Sequence, residues 1–358
     1  MSLVSKMAYN FLGPSGLKVS NLCLGTMLFG PSKAGRPSCT ESESHALMDR
    51  YVELGGNFID TADMYQNGVS EEIIGRWLKK QKRESLVLTT KFGRTMDSKN
   101  PNCKGGSRKH IMSSIEKSLK RLQTAYIDIY MMHLPDDGCP LEETLSALND
   151  LVRDGRVRYL ALSNAKGWQL QKAVEMSRYR NWEKIICIES QYSLLCRSPE
   201  WEVLDVCKHE GLGFLPWSPL KGGWLSGKMK REAPPGEDSR VGWASAKSGR
   251  AHHSHPSWAF FNESEQAWST IDKVQEIAAR HDRSIPQVAL RWLLQKPCVP
   301  SVVIGPRTIE HLESNMAAAS GWVLSADEMA ELDAVSDPHP PYPYDSYLVG
   351  PNEDRQRP

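Results

Sequence analysis

Four residues of this 358-residue chain could together protonate a carbonyl oxygen, and each lies at or just after the end of an apolar segment: Asp60, Tyr65, Lys91 and His133. Asp60 and Lys91 can form an ion pair, which leaves the ammonium beside the phenol of Tyr65. A neighbouring positive charge favours phenolate, so we expect Lys91 to lower the pKa of Tyr65 and to make it a general acid near neutral pH. With His133 alongside, the phenol can protonate a carbonyl while another group attacks the carbon. The simplest such group is a hydride from a nicotinamide cofactor.

Each of these residues also has a structural explanation when it is taken alone. An aspartate at a strand end usually belongs to a cap or a turn, and a buried lysine needs a carboxylate partner in any fold. The combination favours a functional site, because six consecutive predicted strands deliver polar or aromatic side chains to one edge. These side chains are Asp60 and Tyr65, Lys91, His133, Ser163 and Asn164, Gln191 and Tyr192, and Trp217 and Ser218.

The segments that must position these residues alternate between short apolar runs and longer amphipathic ones. Continuous apolar runs are typical of strands that are buried on both faces. Eight such runs predict strands at Leu22–Leu28, Asn57–Ala62, Leu86–Phe92, Ile127–His133, Val157–Ser163, Ile185–Ser190, Gly213–Trp217 and Val299–Ile304.

Helical patterns lie between these runs. Eight strands separated by helices, in a chain of this length, predict an α/β fold of the (β/α)8 TIM-barrel type, whose active site lies at the carboxyl ends of the strands. A doubly wound sheet is the competing fold, but the turn Gly25–Gly30 lacks the G-x-G-x-x-G pattern. The predicted helices are Ser42–Leu54, Glu71–Lys80, Arg108–Leu122, Leu141–Asp154, Trp168–Arg180, Trp201–His209, Glu265–His281, Ile309–Ser320 and Ala326–Val335.

Three segments fall outside this repeat. Residues 1–21 predict a short N-terminal hairpin, and residues 229–264 form a long loop after the seventh strand. Loops of that length are usually functional lids or disordered. We expect a single barrel domain over residues 10–336, followed by a Pro/Tyr-rich C-terminal tail at 337–358.

Composition excludes several classes of protein. With 44 Lys and Arg against 43 Asp and Glu, the net charge of +1 predicts no nucleic acid and no anionic membrane as a partner. No apolar run is long enough to span a bilayer. The eight cysteines are scattered without a C-x-x-C pair, and the histidines fit no standard zinc spacing, so free thiols, no metal and a cytoplasmic location are expected.

The ordered motifs of the chain resemble those of the aldo-keto reductase superfamily, in the branch that includes potassium-channel β-subunits and similar bacterial reductases. Each motif is weak alone, and the ordered set is specific. The resemblance covers about residues 10–335 and rests on Asn57–Tyr65 with Gly68–Glu71, Thr90–Gly93, Ser107–Ile111, Asp128–His133 with Asp136, Ser163–Asn164, Gln191–Ser193, Trp217–Leu220 and Gly305–Thr308.

The resemblance implies that Asp60, Tyr65, Lys91 and His133 are a catalytic tetrad for NADPH-dependent reduction of an aldehyde or ketone. Tyr65 would donate the proton, Lys91 with Asp60 would tune it, and His133 would orient the carbonyl. A guanidinium at Arg307, between the eighth strand and a helix, suits a 2′-phosphate and favours NADP over NAD.

The resemblance also assigns the cofactor site. Ser163, Asn164 and Gln191 would hold the carboxamide and Trp217 would stack on the nicotinamide ring. Two departures at the adenosine end, His311 and Ser314 in place of the family's usual Gln and Glu, leave the strength of the NADP preference open. The remaining implied cofactor residues are Thr26, Ser218, Pro219, Leu220, Lys221, Gly222, Lys228, Arg240, Gly305, Arg307, His311 and Asn315.

Two alternatives stay open at this point. The chain could be a cofactor-binding regulatory subunit of a channel or another partner, with little turnover; His133 argues against this, because the channel subunits have Asn at that place. Three tryptophans, Trp224, Trp243 and Trp258, either line the substrate pocket or pack the long loop onto the barrel. No motif identifies the carbonyl substrate or a protein partner.

Overall fold

The computed structural model describes residues 7–32, 35–231, 235–247, 258–339 and 341–344. Apolar runs of this part of the chain form strands and amphipathic runs form helices. The strands are β1 (Tyr9–Phe11), β2 (Lys18–Ser20), β3 (Leu22–Gly25), β4 (Phe58–Asp60), β5 (Val87–Phe92), β6 (Ile127–Met132), β7 (Val157–Ser163), β8 (Ile185–Gln191), β9 (Gly213–Trp217) and β10 (Val302–Ile304).

Strands β3 to β10 form one parallel sheet that curls into a nearly closed barrel. Seven parallel pairings run in the order β10-β3-β4-β5-β6-β7-β8-β9. Near the remaining gap between β9 and β10, the Phe214 backbone N–H of β9 donates to the carbonyl oxygen of Cys298, in the segment before β10, at 2.6 Å. The predicted (β/α)8 barrel is therefore confirmed. All eight predicted strands are present: β7 and β9 have the predicted bounds, β8 is one residue longer, and the other five are shorter.

The predicted hairpin is also present, and the structure shows its role. Strands β1 and β2 pair antiparallel. Leu12 and Val19 of this hairpin are fully buried and pack into the barrel interior with Phe58, Ile129 and Leu215. The hairpin thus closes the end of the barrel opposite the carboxyl ends of its strands.

Helices surround the barrel and form a second, larger core against the outer faces of the strands. Several begin at a capping side chain, as at Thr40, whose hydroxyl accepts from the Glu43 backbone while Glu43 returns the bond. The helices are α1 (Glu41–Glu53), α2 (Val69–Leu78), α3 (Arg108–Leu122), α4 (Leu141–Arg153), α5 (Gly167–Arg180), α6 (Val203–Glu210), α7 (Arg240–Lys247), α8 (Trp258–Asn262), α9 (Glu265–Arg280), α10 (Ile285–Leu294), α11 (Ile309–Met316) and α12 (Ala326–Val335).

The prediction of one helix before the last strand was incomplete. Helix α10 follows α9 directly and buries Val288, Leu290 and Trp292. Its first turn contains Pro286, which reads as a helix breaker, although proline is favoured in the first helical turn.

The long loop is partly helical and packs onto the barrel through aromatic rings. Trp224 is fully buried and stacks on Trp258, with ring centroids 5.4 Å apart. Trp268 of α9 meets Trp224 edge-on. The packing interpretation therefore holds for Trp224 and Trp258. Residues 232–234 and 248–257 of the loop and 345–358 of the tail lie outside the described residues.

The structure also bears on the cysteines and on membrane crossing. All eight cysteines are free thiols. Across the described ranges, no helix is both long enough and apolar enough to cross a membrane.

Candidate active site

The carboxyl edges of three neighbouring strands bring the predicted tetrad together. Asp60 is the last residue of β4, Lys91 lies near the end of β5, and His133 directly follows β6. The parallel register aligns Lys91 with Met131 of β6, and the His133 backbone N–H continues the ladder by donating to Phe92 at 2.8 Å. Residues far apart in the chain therefore converge on one rim.

Asp60 and Lys91 form a buried ion pair, as expected. The Lys91 ammonium donates to Asp60 Oδ1 and also to the Thr61 carbonyl oxygen, at 3.1 Å. Burial alone would lower the pKa of Lys91, but nearby carboxylates raise it well above its usual value. The ammonium is therefore charged at neutral pH. Removing one partner of such a pair typically costs about 3–5 kcal/mol, because the other charge is left buried.

The turn after β4 presents Tyr65 to this ammonium. Gln66, Asn67 and Gly68 all adopt left-handed backbone angles, with φ of 49°, 58° and 94°. This sharp turn returns the chain into α2 immediately after the tyrosine. The Lys91 Nζ lies 5.4 Å from the centroid of the Tyr65 ring. The His133 ring meets the same ring edge-on, with centroids 5.9 Å apart.

The expected fall in the pKa of Tyr65 does not occur. Burial raises the pKa of the phenol above its usual value, and the pull of Lys91 in the opposite direction is smaller. Asp60 and Glu189 raise it further. Desolvation at a buried rim has no signal in the sequence, and here it outweighs the ammonium. The raised pKa keeps the proton on Tyr65 at neutral pH.

His133 is a neutral imidazole. Burial, together with the charges of Lys91 and Arg94, lowers its pKa to about 3. Its Nδ1 is buried and, within the described part of the chain, has no hydrogen-bond partner. A neutral imidazole beside a phenol can donate or accept one hydrogen bond at a polar oxygen without bringing a charge to the site.

Glu189 of β8 is a residue of this site that the sequence analysis missed. It is 4% exposed, and its Oε2 lies 3.4 Å from the Lys91 Nζ. A glutamate inside the apolar strand Ile185–Gln191 is as unusual as a lysine inside β5. That same signal singled out Lys91 and could have identified Glu189.

The three residues expected to hold a carboxamide lie together next to this group. The Asn164 side-chain amide donates to Ser163 Oγ at 2.8 Å and to the His133 carbonyl oxygen at 3.0 Å. Its oxygen accepts from the Trp217 indole at 3.0 Å. Gln191 ends β8 at the same rim. These bonds fix the orientation of the amide and of the indole.

A cluster of basic side chains occupies the rim at the start of α11. Burial, followed by the neighbouring charges of Lys228 and Arg307, lowers the pKa of His311 and keeps this imidazole neutral at pH 7. Thr308 caps this helix by accepting from the His311 backbone N–H. A helix N-terminus with two cations nearby suits a phosphate. Asn315 is buried on the same helix. This part of the rim therefore has the chemistry that a phosphorylated ligand requires.

The other predicted cofactor residues lie around the same rim. Arg240 opens α7, where burial and the charge of Arg36 lower its pKa to about 10. Lys221 lies deeper: it is buried, and its ammonium is 5.2 Å from the centroid of the Phe261 ring. Thr26, Ser218, Pro219, Leu220, Gly222 and Gly305 occupy the loops after β3, β9 and β10.

Comparison with known proteins identifies a family. The sequence profile described as the aldo/keto reductase family matches residues 21–337. The chain is 36% identical to the uncharacterized oxidoreductase YrpG of Bacillus subtilis, covering 87% of this chain and 91% of that protein. It is 32% identical to norsolorinic acid reductase B of Dothistroma septosporum, covering 96% and 83%. It is also 32% identical to an NADP(+) aryl-alcohol dehydrogenase of Phanerodontia chrysosporium, covering 92% and 86%.

Proposed function

The chain belongs to the aldo/keto reductase family and is an oxidoreductase, and from that premise we propose that it reduces an aldehyde or ketone to an alcohol with NADPH. The observation that carries the proposal is the buried Asp60–Lys91 pair beside a protonated Tyr65 and a neutral His133. This arrangement supplies a proton and hydrogen bonds at one point of the rim.

In the proposed reaction the protein's residues act on the carbonyl oxygen. His133 and the Tyr65 hydroxyl bind this oxygen and polarise the C=O bond. When bound, the reduced nicotinamide supplies the hydride to the carbonyl carbon. Tyr65 gives its proton to the oxygen, which completes the alcohol and leaves a tyrosinate. The Lys91 ammonium stabilises that negative charge, and Asp60 keeps the ammonium in place.

The proposed preference for NADPH over NADH rests on the cations of Lys228 and Arg307, with the neutral imidazole of His311 beside them. A 2′-phosphate adds negative charge that these side chains and the N-terminus of α11 can bind. The name of the aryl-alcohol dehydrogenase relative supports the same cofactor. At the other end of the site, Asn164 and Trp217 are already oriented to receive a carboxamide and an aromatic ring.

The names of the relatives suggest which substrates to try first. Norsolorinic acid reductases and an aryl-alcohol dehydrogenase are named among proteins that this chain matches at 32% identity. We therefore propose aromatic aldehydes and ketones, with the corresponding alcohols for the reverse direction, as the first panel of substrates.

The test compares Tyr65→Phe with the parent protein. NADPH binding is followed by quenching of tryptophan fluorescence, and turnover by the absorbance of the reduced nicotinamide. Losing the general acid should lower kcat at least about 100-fold, with NADPH affinity changed less than about threefold. Tyr179→Phe serves as the matched control, because that tyrosine is 86% exposed.

Two outcomes would count against the proposal. Full activity in Tyr65→Phe would refute the assignment of the proton donor. Tight NADPH binding by the parent, without turnover on a broad panel of carbonyls, would favour a cofactor-binding regulatory subunit instead.

A further inference from the structure

The catalytic lysine has two carboxyl neighbours, and the proposed reaction uses only one of them. Asp60 accepts the direct hydrogen bond from Lys91. Glu189 lies on the other side, with its Oε2 3.4 Å from the ammonium. That oxygen is buried and makes no hydrogen bond of good geometry to any described residue. One buried ammonium therefore faces two buried carboxyls, and Glu189 is the less tightly held of the two.

Two buried carboxyl groups share one buried ammonium, so only one of them can have a positively charged partner of its own. Burying a second charge without a second partner is unfavourable, so the weaker partner keeps a proton. Burial, followed by the charge of Asp60, raises the pKa of Glu189 to about 8. The carboxyl is therefore neutral at pH 7 and ionises in the mildly alkaline range.

The other groups that face Glu189 do not supply a second positive charge. These groups are Asp60 of β4, Lys91 of β5, Cys23 of β3, Cys187 of β8 itself, and Tyr65 in the turn after β4. Burial raises the pKa of both cysteine thiols well above the usual value, and Glu189 raises each further. They are thus neutral, so Lys91 alone balances the carboxylates among these groups.

We propose that Glu189 is a positioning residue that acts through Lys91, and that the loss of its proton restricts the ability of Tyr65 to exist as a tyrosinate. The inference rests on the proposed function and concerns how alcohol oxidation and carbonyl reduction each depend on pH. In alcohol oxidation, Tyr65 must first lose its proton to accept one from the alcohol. An ionised Glu189 competes for the positive charge of Lys91 and opposes that loss. In carbonyl reduction near pH 6, Glu189 is neutral and has little effect.

The variant Glu189→Gln preserves the shape of the side chain and removes its charge. In the oxidation direction, the apparent pKa that limits kcat/KM should fall by about one unit, so the variant is about tenfold faster above about pH 8, where Glu189 of the parent is ionised, and matches the parent below about pH 7. Reduction at pH 6 should stay within about threefold of the parent. Glu189→Asp keeps a carboxyl group, so the dependence of its kcat/KM on pH should resemble that of the parent. Glu142→Gln is the surface control, because Glu142 is exposed on α4.

A second measurement reads the proton on Glu189 without requiring turnover. Infrared difference spectra of the parent should show a protonated carboxyl band at pH 7 that disappears by about pH 10 and is absent from Glu189→Gln. Circular dichroism and NADPH binding confirm that the variant is folded.

The outcomes distinguish the inference from the proposed function. Coincident pH profiles of the parent and Glu189→Gln, or a uniform loss at every pH, would overturn the role given to Glu189. An infrared spectrum without the band would do the same, even if the enzyme reduces carbonyls. A parent that shows the band but turns over no substrate would instead refute the proposed function.

Discussion

Replacing Asp63 with asparagine should stabilise the protein at alkaline pH. Asp63 is 1% exposed, and neither of its carboxylate oxygens makes a hydrogen bond of good geometry within the described residues. Burial, and then the charge of Glu71, raises its pKa to about 7, while Arg121 pulls it down to a smaller extent. The Tyr130 hydroxyl also has no hydrogen-bond partner among the described residues, and the charge of Asp63 adds to the burial that raises its pKa.

The size and sign of the effect follow from this raised pKa. A shift from 3.8 to about 7 corresponds to roughly 4 kcal/mol of stability that is lost when the carboxyl ionises. Because the folded-state pKa is the higher one, the folded chain binds more protons than the unfolded chain in this window, and its stability falls as the pH rises from about 4 to 7. Asparagine does not ionise and avoids this loss.

A cavity beside Asp63 reduces the expected gain. It measures about 50 Å³ and is lined by His110, Ser114 and Arg121 among others. That volume has room for a few water molecules, which would partly solvate the carboxylate. Asp63→Asn should therefore gain about 2–4 kcal/mol above pH 7, and close to nothing near pH 4.

Denaturant unfolding from about pH 4 to 9 measures the difference in the free energy of unfolding between the parent and the variant. The titrating groups that the two proteins share contribute equally to both and cancel in this difference. Asp137→Asn is the control, because Asp137 is exposed and should give a small difference that does not vary with pH. A gain in Asp63→Asn that is independent of pH would refute the reasoning. So would destabilisation at every pH, which would mean that the ionised carboxylate is needed by Arg121.

Two further predictions test the cofactor site and the packing of the helices. Arg307→Ala should weaken NADPH at least about tenfold and NADH much less, measured by quenching of the fluorescence of Trp217 and the other tryptophans; equal losses for both cofactors would contradict the 2′-phosphate contact. Gly75→Ala should lower the thermal midpoint of unfolding, because the added Cβ would lie 2.2 Å from the Arg121 carbonyl oxygen. Helix propensity alone would favour alanine over glycine here by about 1 kcal/mol. Gly16→Ala is its control, with no atom within 4 Å of the added Cβ, and a stabilised Gly75→Ala would contradict the close approach of α2 and α3.

The parts of the fold that could be predicted are those with a local signal. The eight barrel strands were recognisable as apolar runs separated by amphipathic helices, because a parallel strand that is buried on both faces has no polar side. Helix α10 was missed for a different reason: Pro286 in its first turn reads as a helix breaker, although proline is favoured at that position. The sealing role of the hairpin also had no local signal, since Leu12 and Val19 reveal it only by packing inside the barrel.

The candidate site divides in the same way. The sequence by itself identified Asp60, Tyr65, Lys91 and His133, because each is a polar residue at the end of an apolar run and the strand ends of a barrel share one rim. It could not determine their ionisation, which depends on the solvent that the folded chain excludes. Only the tertiary structure showed that burial outweighs Lys91 at Tyr65, that His133 is neutral, and that Glu189 shares the same lysine. Desolvation is a property of the whole packed barrel and not of neighbours along the chain.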